Sequence, residues 1–94
     1  MIRTVDDQET QRIFNGERSR ALPPDIQNTA RRKLRLLDAV SHLDDLRVPR
    51  GNRLEALQGD RKGTYSLRIN DQWRITFAWS DGGADSVRIE DDHR

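Results

Sequence analysis

The sequence predicts an α+β domain in which two N-terminal helices pack on one face of a mostly antiparallel sheet. In the N-terminal half, apolar residues recur at helical spacing. In the C-terminal half, apolar and polar residues alternate with a period of two, which is typical of half-buried antiparallel strands. The chain has 94 residues and contains no repeat, low-complexity tract or linker. We therefore expect residues 1–94 to form a single domain.

The first part of the chain predicts a short strand and a helix. Met1–Val5 is expected to form the strand. Asp6, followed three residues later by Glu9, resembles a capping box that opens the first helix. Gly16 is expected to end this helix, because glycine readily adopts the left-handed backbone of a helix C-terminus.

A second helix is expected to begin at Pro23-Pro24, since proline suits the first turn of a helix. Its apolar stripe is Ile26, Ala30, Leu34, Leu37 and Val40. The arginines of this helix should lie mainly on its outer face, namely Arg31, Arg32 and Arg35.

The second half of the chain predicts a meander of four strands joined by turns rich in glycine, asparagine and aspartate. The expected strands are Arg53–Gln58, Thr64–Asn70, Trp73–Trp79 and Ala84–Glu90. A short turn or helical piece over Ser41–Arg47 and a loop over Pro49–Asn52 should precede them.

One predicted hairpin brings two arginines together. If the turn is centred on Asp71, Arg68 faces Arg74 across the ladder, on the side of the sheet away from the core. Like charges directly opposite each other destabilise a sheet, so the pair favours an anionic ligand such as phosphate. The alternative is that each arginine pairs with a nearby carboxylate, such as Glu55 or Glu90.

The composition narrows the classes of function. The formal net charge is only +1, but basic residues crowd the middle of the chain and acidic residues its two ends, a pattern that fits local contact with nucleic acid. The absence of cysteine excludes disulfides and thiolate metal sites, and two histidines make a zinc site unfavourable, so we expect no metal or cofactor. No run approaches the roughly 20 apolar residues of a membrane span. We expect a cytoplasmic protein without membrane contact.

Two segments resemble a known protein family. The first is NRLEALQGDR at positions 52–61, and the second is SLRINDQWRITF at positions 66–77. Together with the C-terminal Glu90-Asp91-Asp92-His93, they resemble the growth-retarding subset of the HigB branch of the RelE/ParE superfamily. These are toxins of bacterial toxin–antitoxin pairs.

The resemblance implies a microbial-ribonuclease-like RelE/ParE fold and cleavage of messenger RNA in the aminoacyl site of the ribosome. It also implies inhibition by a HigA-like helix-turn-helix antitoxin, with operator DNA bound only through the antitoxin complex. This chain departs from many relatives, which end in Asp-Tyr-His, because Asp92 stands at the tyrosine position. Glu55 stands where some relatives carry a histidine.

Five residues are candidates for metal-free RNA cleavage, in which the neighbouring 2′-hydroxyl attacks phosphorus. Arg68 and Arg74 suit stabilisation of the phosphoryl oxygens, because guanidinium groups match phosphate and stay charged. His93 suits proton exchange near neutral pH. Asp91 is expected to orient His93 or accept a proton, although strict alternation after Ile89 would place both on the core side. Glu55 either acts as the general base or neutralises an arginine.

Four further residues are expected to bind RNA. Arg61 and Lys62 lie in a turn flanked by glycines, and Arg53 and Gln58 bound the first predicted strand of the meander. The aromatic residues of the third strand, Trp73, Phe77 and Trp79, are expected in the core rather than stacked on bases. Two rival functions share the fold: a non-catalytic growth inhibitor like the gyrase-directed ParE toxins, and a degenerate toxin that acts only as a co-repressor with its antitoxin.

Overall fold

The computed structural model describes residues 1–92 and arranges them as two helices packed on a four-stranded antiparallel sheet, which confirms the predicted fold class. The strands are adjacent in the order of the sequence. Single 3₁₀ turns at Leu43–Arg47, Arg50–Asn52 and Gly59–Arg61 occupy the connections. The main elements are α1 (Gln8–Phe14), α2 (Pro24–Ala39), β1 (Glu55–Ala56), β2 (Thr64–Arg68), β3 (Trp73–Ser80) and β4 (Gly83–Asp91).

Helix α1 begins one residue later than predicted. The capping side chain is that of Asp7, which accepts a hydrogen bond from the backbone N–H of Thr10 at 2.7 Å. Asp6 lies one residue before the cap, and its N–H donates to the carbonyl of Val87 in β4. Gly16 follows the helix with φ of +90°, as its predicted role requires.

Helix α2 begins at Pro24, as predicted, and buries most of its predicted apolar stripe. Ile26, Ala30, Leu34 and Leu37 are at most 2% exposed. Arg31 departs from the prediction, since it is half-buried and its Nε donates to the carbonyl of Ile13 at 3.1 Å. The carbonyl of Ile13 lies at the C-terminus of α1 and also accepts the N–H of Gly16 at 3.1 Å, and a guanidinium there is favoured by the helix dipole.

The sheet differs from the prediction at its two edges. Strand β1 has two residues instead of six, because Arg53 adopts a left-handed backbone with φ of 45° and a 3₁₀ turn begins at Gly59. Met1–Val5 forms no continuous strand. It makes two isolated parallel bridges to β4, from Ile2 to Ala84 and from Val5 to Val87.

The two faces of the sheet have different chemistry. Side chains of the core face are buried under the helices, and they include Leu67, Ile75, Phe77, Val87 and Ile89. Trp73 and Trp79 pack against this core, as expected. The opposite face carries polar and charged side chains and is open to solvent. Within residues 1–92, no helix is both long and apolar enough to cross a membrane.

Candidate active site

A row of three charged residues crosses the open face of the sheet. Arg68 on β2 lies directly opposite Arg74 on β3, as the alternation predicted. Arg74 in turn lies opposite Glu90 on β4. The register therefore places two guanidinium groups and one carboxylate side by side on three adjacent strands.

A cleft of about 360 Å³ opens over this face. Arg74 lies within it, whereas the side chain of Arg68 lies outside its lining. The turn after β1 contributes one wall and the end of β4 the other. The lining residues are Leu57, Arg61, Ser66, Arg74, Thr76, Glu90, Asp91 and Asp92.

Three partners fix the guanidinium of Arg74 in the cleft. Its Nε donates to the hydroxyl of Ser66 at 2.8 Å, and its Nη2 donates to the carbonyl of Arg53 at 3.1 Å. Nη2 also lies 2.7 Å from Oε1 of Glu55. The side chain is only 12% exposed, so the charge is held in one orientation rather than free to sample rotamers.

Arg68 is more exposed, and its Nη2 is ion-paired with Asp71 in the turn that joins β2 to β3. The backbone of Arg68 is also fixed, because its carbonyl accepts a hydrogen bond from the ammonium of Lys33 on α2. The same ammonium donates to the carbonyl of Gly51 at 3.4 Å. Burial lowers the pKa of Lys33, and the charges of neighbouring arginines, including Arg68 and Arg74, lower it further.

Glu90 and Arg61 form an ion pair across the cleft. Nη2 of Arg61 lies 2.7 Å from Oε2 of Glu90, and Nη1 lies 3.4 Å from Oε1, so the contact is bidentate. The hydroxyl of Thr76 also donates to Glu90, and Arg88 approaches to 4.0 Å. Burial opposes ionisation of Glu90, but the hydrogen bonds of Arg61 and Thr76 and the nearby arginine charges prevail and lower its pKa.

Comparison with known proteins assigns the family. Residues 3–93 match the family model described as the RelE-like toxin of type II toxin–antitoxin system HigB. The chain belongs to this family. Its relatives include Toxin HigB-1 of Vibrio cholerae, which is 48% identical over 70 residues and matched over 74% of each chain. Endoribonuclease HigB of Proteus vulgaris is 26% identical over 93 residues, which cover 99% of this chain and all of the relative.

Solved structures agree on the fold of this HigB-like toxin. YafQ from Escherichia coli superposes with a TM-score of 0.64 at 14% identity, covering 95% of this chain and 90% of YafQ. A YoeB/ParE toxin from Agrobacterium tumefaciens superposes with a TM-score of 0.54 at 18% identity, covering 96% of this chain and 99% of that toxin. The protein is therefore a type II toxin with a RelE-like fold.

The structure brings several candidate residues of the HigB-like toxin together at the cleft. Asp91 and Asp92 both line it, so strict alternation after Ile89 fails where β4 ends at Asp91. The amide of Gln72 donates to Asp91 at 3.0 Å. His93 lies outside the described residues.

The four residues expected to bind RNA are distributed differently. Arg61 lines the cleft, whereas Lys62 and Gln58 are exposed beside it and do not line it. Arg53 is also exposed and contributes its backbone carbonyl to Arg74. Among residues 1–92, no cluster of three or more His, Asp or Glu side chains is suited to hold a metal ion.

Sequence reasoning left Lys33 and Glu90 without a functional role. Lys33 lies on the same face of α2 as the buried Ala30, Leu34 and Leu37. A lysine within an apolar stripe was the sequence feature that could have indicated its burial. In the sequence analysis Glu90 belongs to the C-terminal segment of the family resemblance and could neutralise an arginine, but it has no role in the reaction.

Proposed function

We propose that this toxin is an endoribonuclease that cuts messenger RNA in the aminoacyl site of the ribosome and thereby inhibits translation in the cytoplasm. A HigA-like antitoxin would hold it inactive and carry it to operator DNA. The observation that carries this proposal is the fixed guanidinium of Arg74 inside a cleft of the HigB-like fold. One relative, named Endoribonuclease HigB, supports the reaction class.

The chemistry proposed for the cleft needs no metal. The 2′-hydroxyl of the substrate attacks the adjacent phosphorus, and negative charge grows on the phosphoryl oxygens. Arg74, with Arg68 beside it in the same row, donates hydrogen bonds to those oxygens. In the structure each guanidinium is paired with a carboxylate, Arg68 with Asp71 and Arg74 with Glu55. A phosphate of the substrate can replace that carboxylate, because both groups present paired oxygens.

Glu55 and His93 supply the two proton transfers in this proposal. Glu55 is exposed and contacts Arg74, so a phosphate that binds Arg74 releases Glu55 to accept the 2′-hydroxyl proton. Asp91 lies at the cleft and would orient His93, which returns a proton to the leaving 5′-oxygen. Arg53, Gln58, Arg61 and Lys62 would contact the RNA backbone around the cleft.

In this proposal, ion pairs in and beside the cleft explain why the toxin would depend on the ribosome. Arg61, Arg68 and Arg74 are each paired with a carboxylate of the same chain. Free RNA would therefore have to displace these carboxylates and gains little net charge attraction in return. An RNA that the ribosome already holds in position loses less entropy on binding, so it is the better substrate.

The proposal is tested by expressing the toxin without its antitoxin and mapping the cut ends of one messenger by primer extension. We expect slowed growth and cuts within the translated region, and we expect those cuts to disappear when the start codon of the messenger is removed. Arg74→Ala should abolish both effects. Arg47→Ala serves as a control because Arg47 is exposed and, among residues 1–92, its side chain is paired only with Asp44. Growth inhibition without cuts would support the non-catalytic alternative. Antitoxin binding without toxicity would support the co-repressor.

A further inference from the structure

Helix α1 and the loop between α1 and α2 line a second cavity that the proposed reaction does not use. This cavity measures about 370 Å³ and lies in the helical layer of the molecule, whereas the cleft opens on the other face of the sheet. Three of its five lining residues are arginines. The lining consists of Glu9, Arg12, Arg18, Arg20 and Ala21.

A buried glutamine fixes the shape of this loop. Gln27 on α2 is 1% exposed, and its Oε1 accepts the backbone N–H of Ser19 at 3.0 Å. Its Nε2 donates to the carbonyl of Ser19 at 2.8 Å and to the carbonyl of Leu22 at 2.9 Å. The hydroxyl of Ser19 donates to Glu9 at 2.6 Å. The residue between Arg18 and Arg20 is therefore held on both sides.

Arg31 fixes the start of the same loop. Its Nε donates to the carbonyl of Ile13, and its Nη2 donates to the carbonyl of Glu17 at 3.3 Å. The backbone that presents Arg18 and Arg20 is thus ordered before any ligand binds. A ligand would need to immobilise only the two side chains, which lowers the entropic cost of binding.

The two central arginines carry uncompensated charge. Arg12 is ion-paired with both neighbouring carboxylates: its Nε lies 3.7 Å from Oε2 of Glu9, and its Nη1 lies 3.6 Å from Oε1 of Glu17. Arg18 and Arg20 are exposed and make no hydrogen bond or ion pair with any other residue from 1 to 92. This contrasts with the cleft, where the arginines are bound to carboxylates of the chain.

We propose that Arg18 and Arg20, which line this cavity together with the ion-paired Arg12, form a second binding site that takes the phosphodiester backbone of a folded RNA. Guanidinium groups on a rigid loop match phosphate oxygens in geometry and charge. A protein partner is less well matched, because the arginine anchors of protein interfaces lie in well-packed pockets among apolar and aromatic side chains. In the described part of the chain, the exposed large apolar side chains are Met1 and Val48, and neither lines this cavity.

The second site makes the toxin bivalent for RNA. The molecule measures only 32 × 27 × 25 Å, so one copy can contact a folded RNA through the loop while a separate strand lies in the cleft. Two linked weak contacts give a higher apparent affinity than either alone. We identify the folded RNA as ribosomal RNA, and this identification is the part of the inference that rests on the proposed function.

The test measures binding to salt-washed ribosomes that carry no messenger, so that cleavage is not needed for the readout. Arg18→Ala combined with Arg20→Ala should weaken binding on the order of tenfold and reduce the slope of log affinity against log salt by about 2, one unit per lost phosphate contact. The matched control combines Arg47→Ala with Arg50→Ala, which removes the same charge from exposed positions of another loop. Thermal unfolding verifies that both variants are folded.

Three outcomes would overturn the proposal. The first is unchanged ribosome binding in the Arg18/Arg20 variant. The second is an equal loss in the control variant, which would indicate an effect of net charge alone. The third is intact ribosome binding with lost affinity for the antitoxin, which would assign the loop to a protein partner. If the toxin binds ribosomes through this loop but cuts no RNA, the proposed reaction fails while the second site stands.

Discussion

At the scale of single residues, Arg74 and Arg68 are expected to serve transition-state stabilisation. Replacing either by alanine should lower the cleavage rate on the order of 10² or more, as when one transition-state donor is lost. Arg74→Ala should also cost about 1 kcal/mol of stability, because the hydroxyl of Ser66, which is 1% exposed, loses its partner. Single-turnover cleavage on ribosomes measures the rate, and chemical denaturation measures stability. Full toxicity of both variants at equal expression would place the reaction elsewhere.

Glu90 gives a prediction about pH. Its pKa in the folded protein lies below the ordinary value of 4.5, so its ionised form stabilises the fold at neutral pH. Glu90→Gln should therefore be less stable than the natural chain at pH 7, and the difference should disappear as pH falls below 4.5 through the folded pKa.

Denaturation with urea at pH 7 and at pH 3 measures this difference. Glu17→Gln is the matched control, because Glu17 is exposed and lies 3.6 Å from Arg12 in a surface pair of little expected worth. A difference between Glu90→Gln and the natural chain that stays constant over this range would contradict the ionic role of Glu90.

The contacts of individual side chains show where sequence reasoning ends. The opposition of Arg68 and Arg74 was predictable, because alternation and a short turn fix the register of a hairpin. The ion pair between Arg61 and Glu90 joins positions 29 residues apart, and the hydrogen bond from Lys33 to Arg68 joins positions 35 apart. No local pattern specifies such contacts, since they depend on how the elements pack.

At the scale of elements, the turn that carries Arg61 depends on glycine. Gly63 has φ of +88°, a conformation that costs other residues roughly 1–2 kcal/mol. Gly63→Ala should therefore destabilise the protein by about that amount and displace Arg61 from the cleft. Gly51→Ala is the matched control: an added Cβ meets no atom within 4 Å at either glycine, and Gly51 has no positive φ.

Chemical denaturation of the two glycine variants measures the effect. We expect Gly51→Ala to be neutral or to stabilise the protein slightly, by about 0.4–1 kcal/mol, because alanine restricts the unfolded chain. Equal stability of the two variants would show that the turn does not need its left-handed backbone.

Two predicted strands, β1 and the first residues of the chain, are shorter or less regular in the structure than expected. The alternation of Leu54 and Ala56 suggested a longer strand, but the left-handed backbone of Arg53 interrupts it. The first residues were expected to form a strand, but their two bridges to β4 are isolated, and Ser86, which lies between the bridged residues of β4, has a left-handed backbone with φ of 54°. Side chains also bind this segment. One example is Asp38, which accepts the N–H of Ile2 at 2.8 Å. Tertiary contacts of this kind cannot be predicted from the local sequence.

At the scale of the whole molecule, β4 connects the core to the cleft. Strand β4 ends at Asp91, so residues 93 and 94 follow directly on the cleft residues. Deleting His93 and Arg94 should weaken toxicity and leave antitoxin binding intact, since the described core lies before them. Asp92→Tyr should raise activity by adding a surface on which a base can stack, worth roughly 1–3 kcal/mol.

Toxicity, cleavage on ribosomes and antitoxin affinity measure the effects of these two changes at the C-terminus. The antitoxin affinity also serves as a control for folding. A truncated toxin as active as the full chain would remove His93 from the mechanism and favour Glu55 as the base.

The central claim is that the cleft cuts messenger RNA only when the ribosome presents it. The direct test incubates purified toxin with one messenger, either naked or bound to ribosomes stalled at a known codon, and maps the new 5′ ends. We predict cuts confined to the codon in the aminoacyl site, their loss with Arg74→Ala, and no comparable cutting of naked RNA. Equal cutting of naked and ribosome-bound messenger, or cutting that survives Arg74→Ala, would contradict the claim.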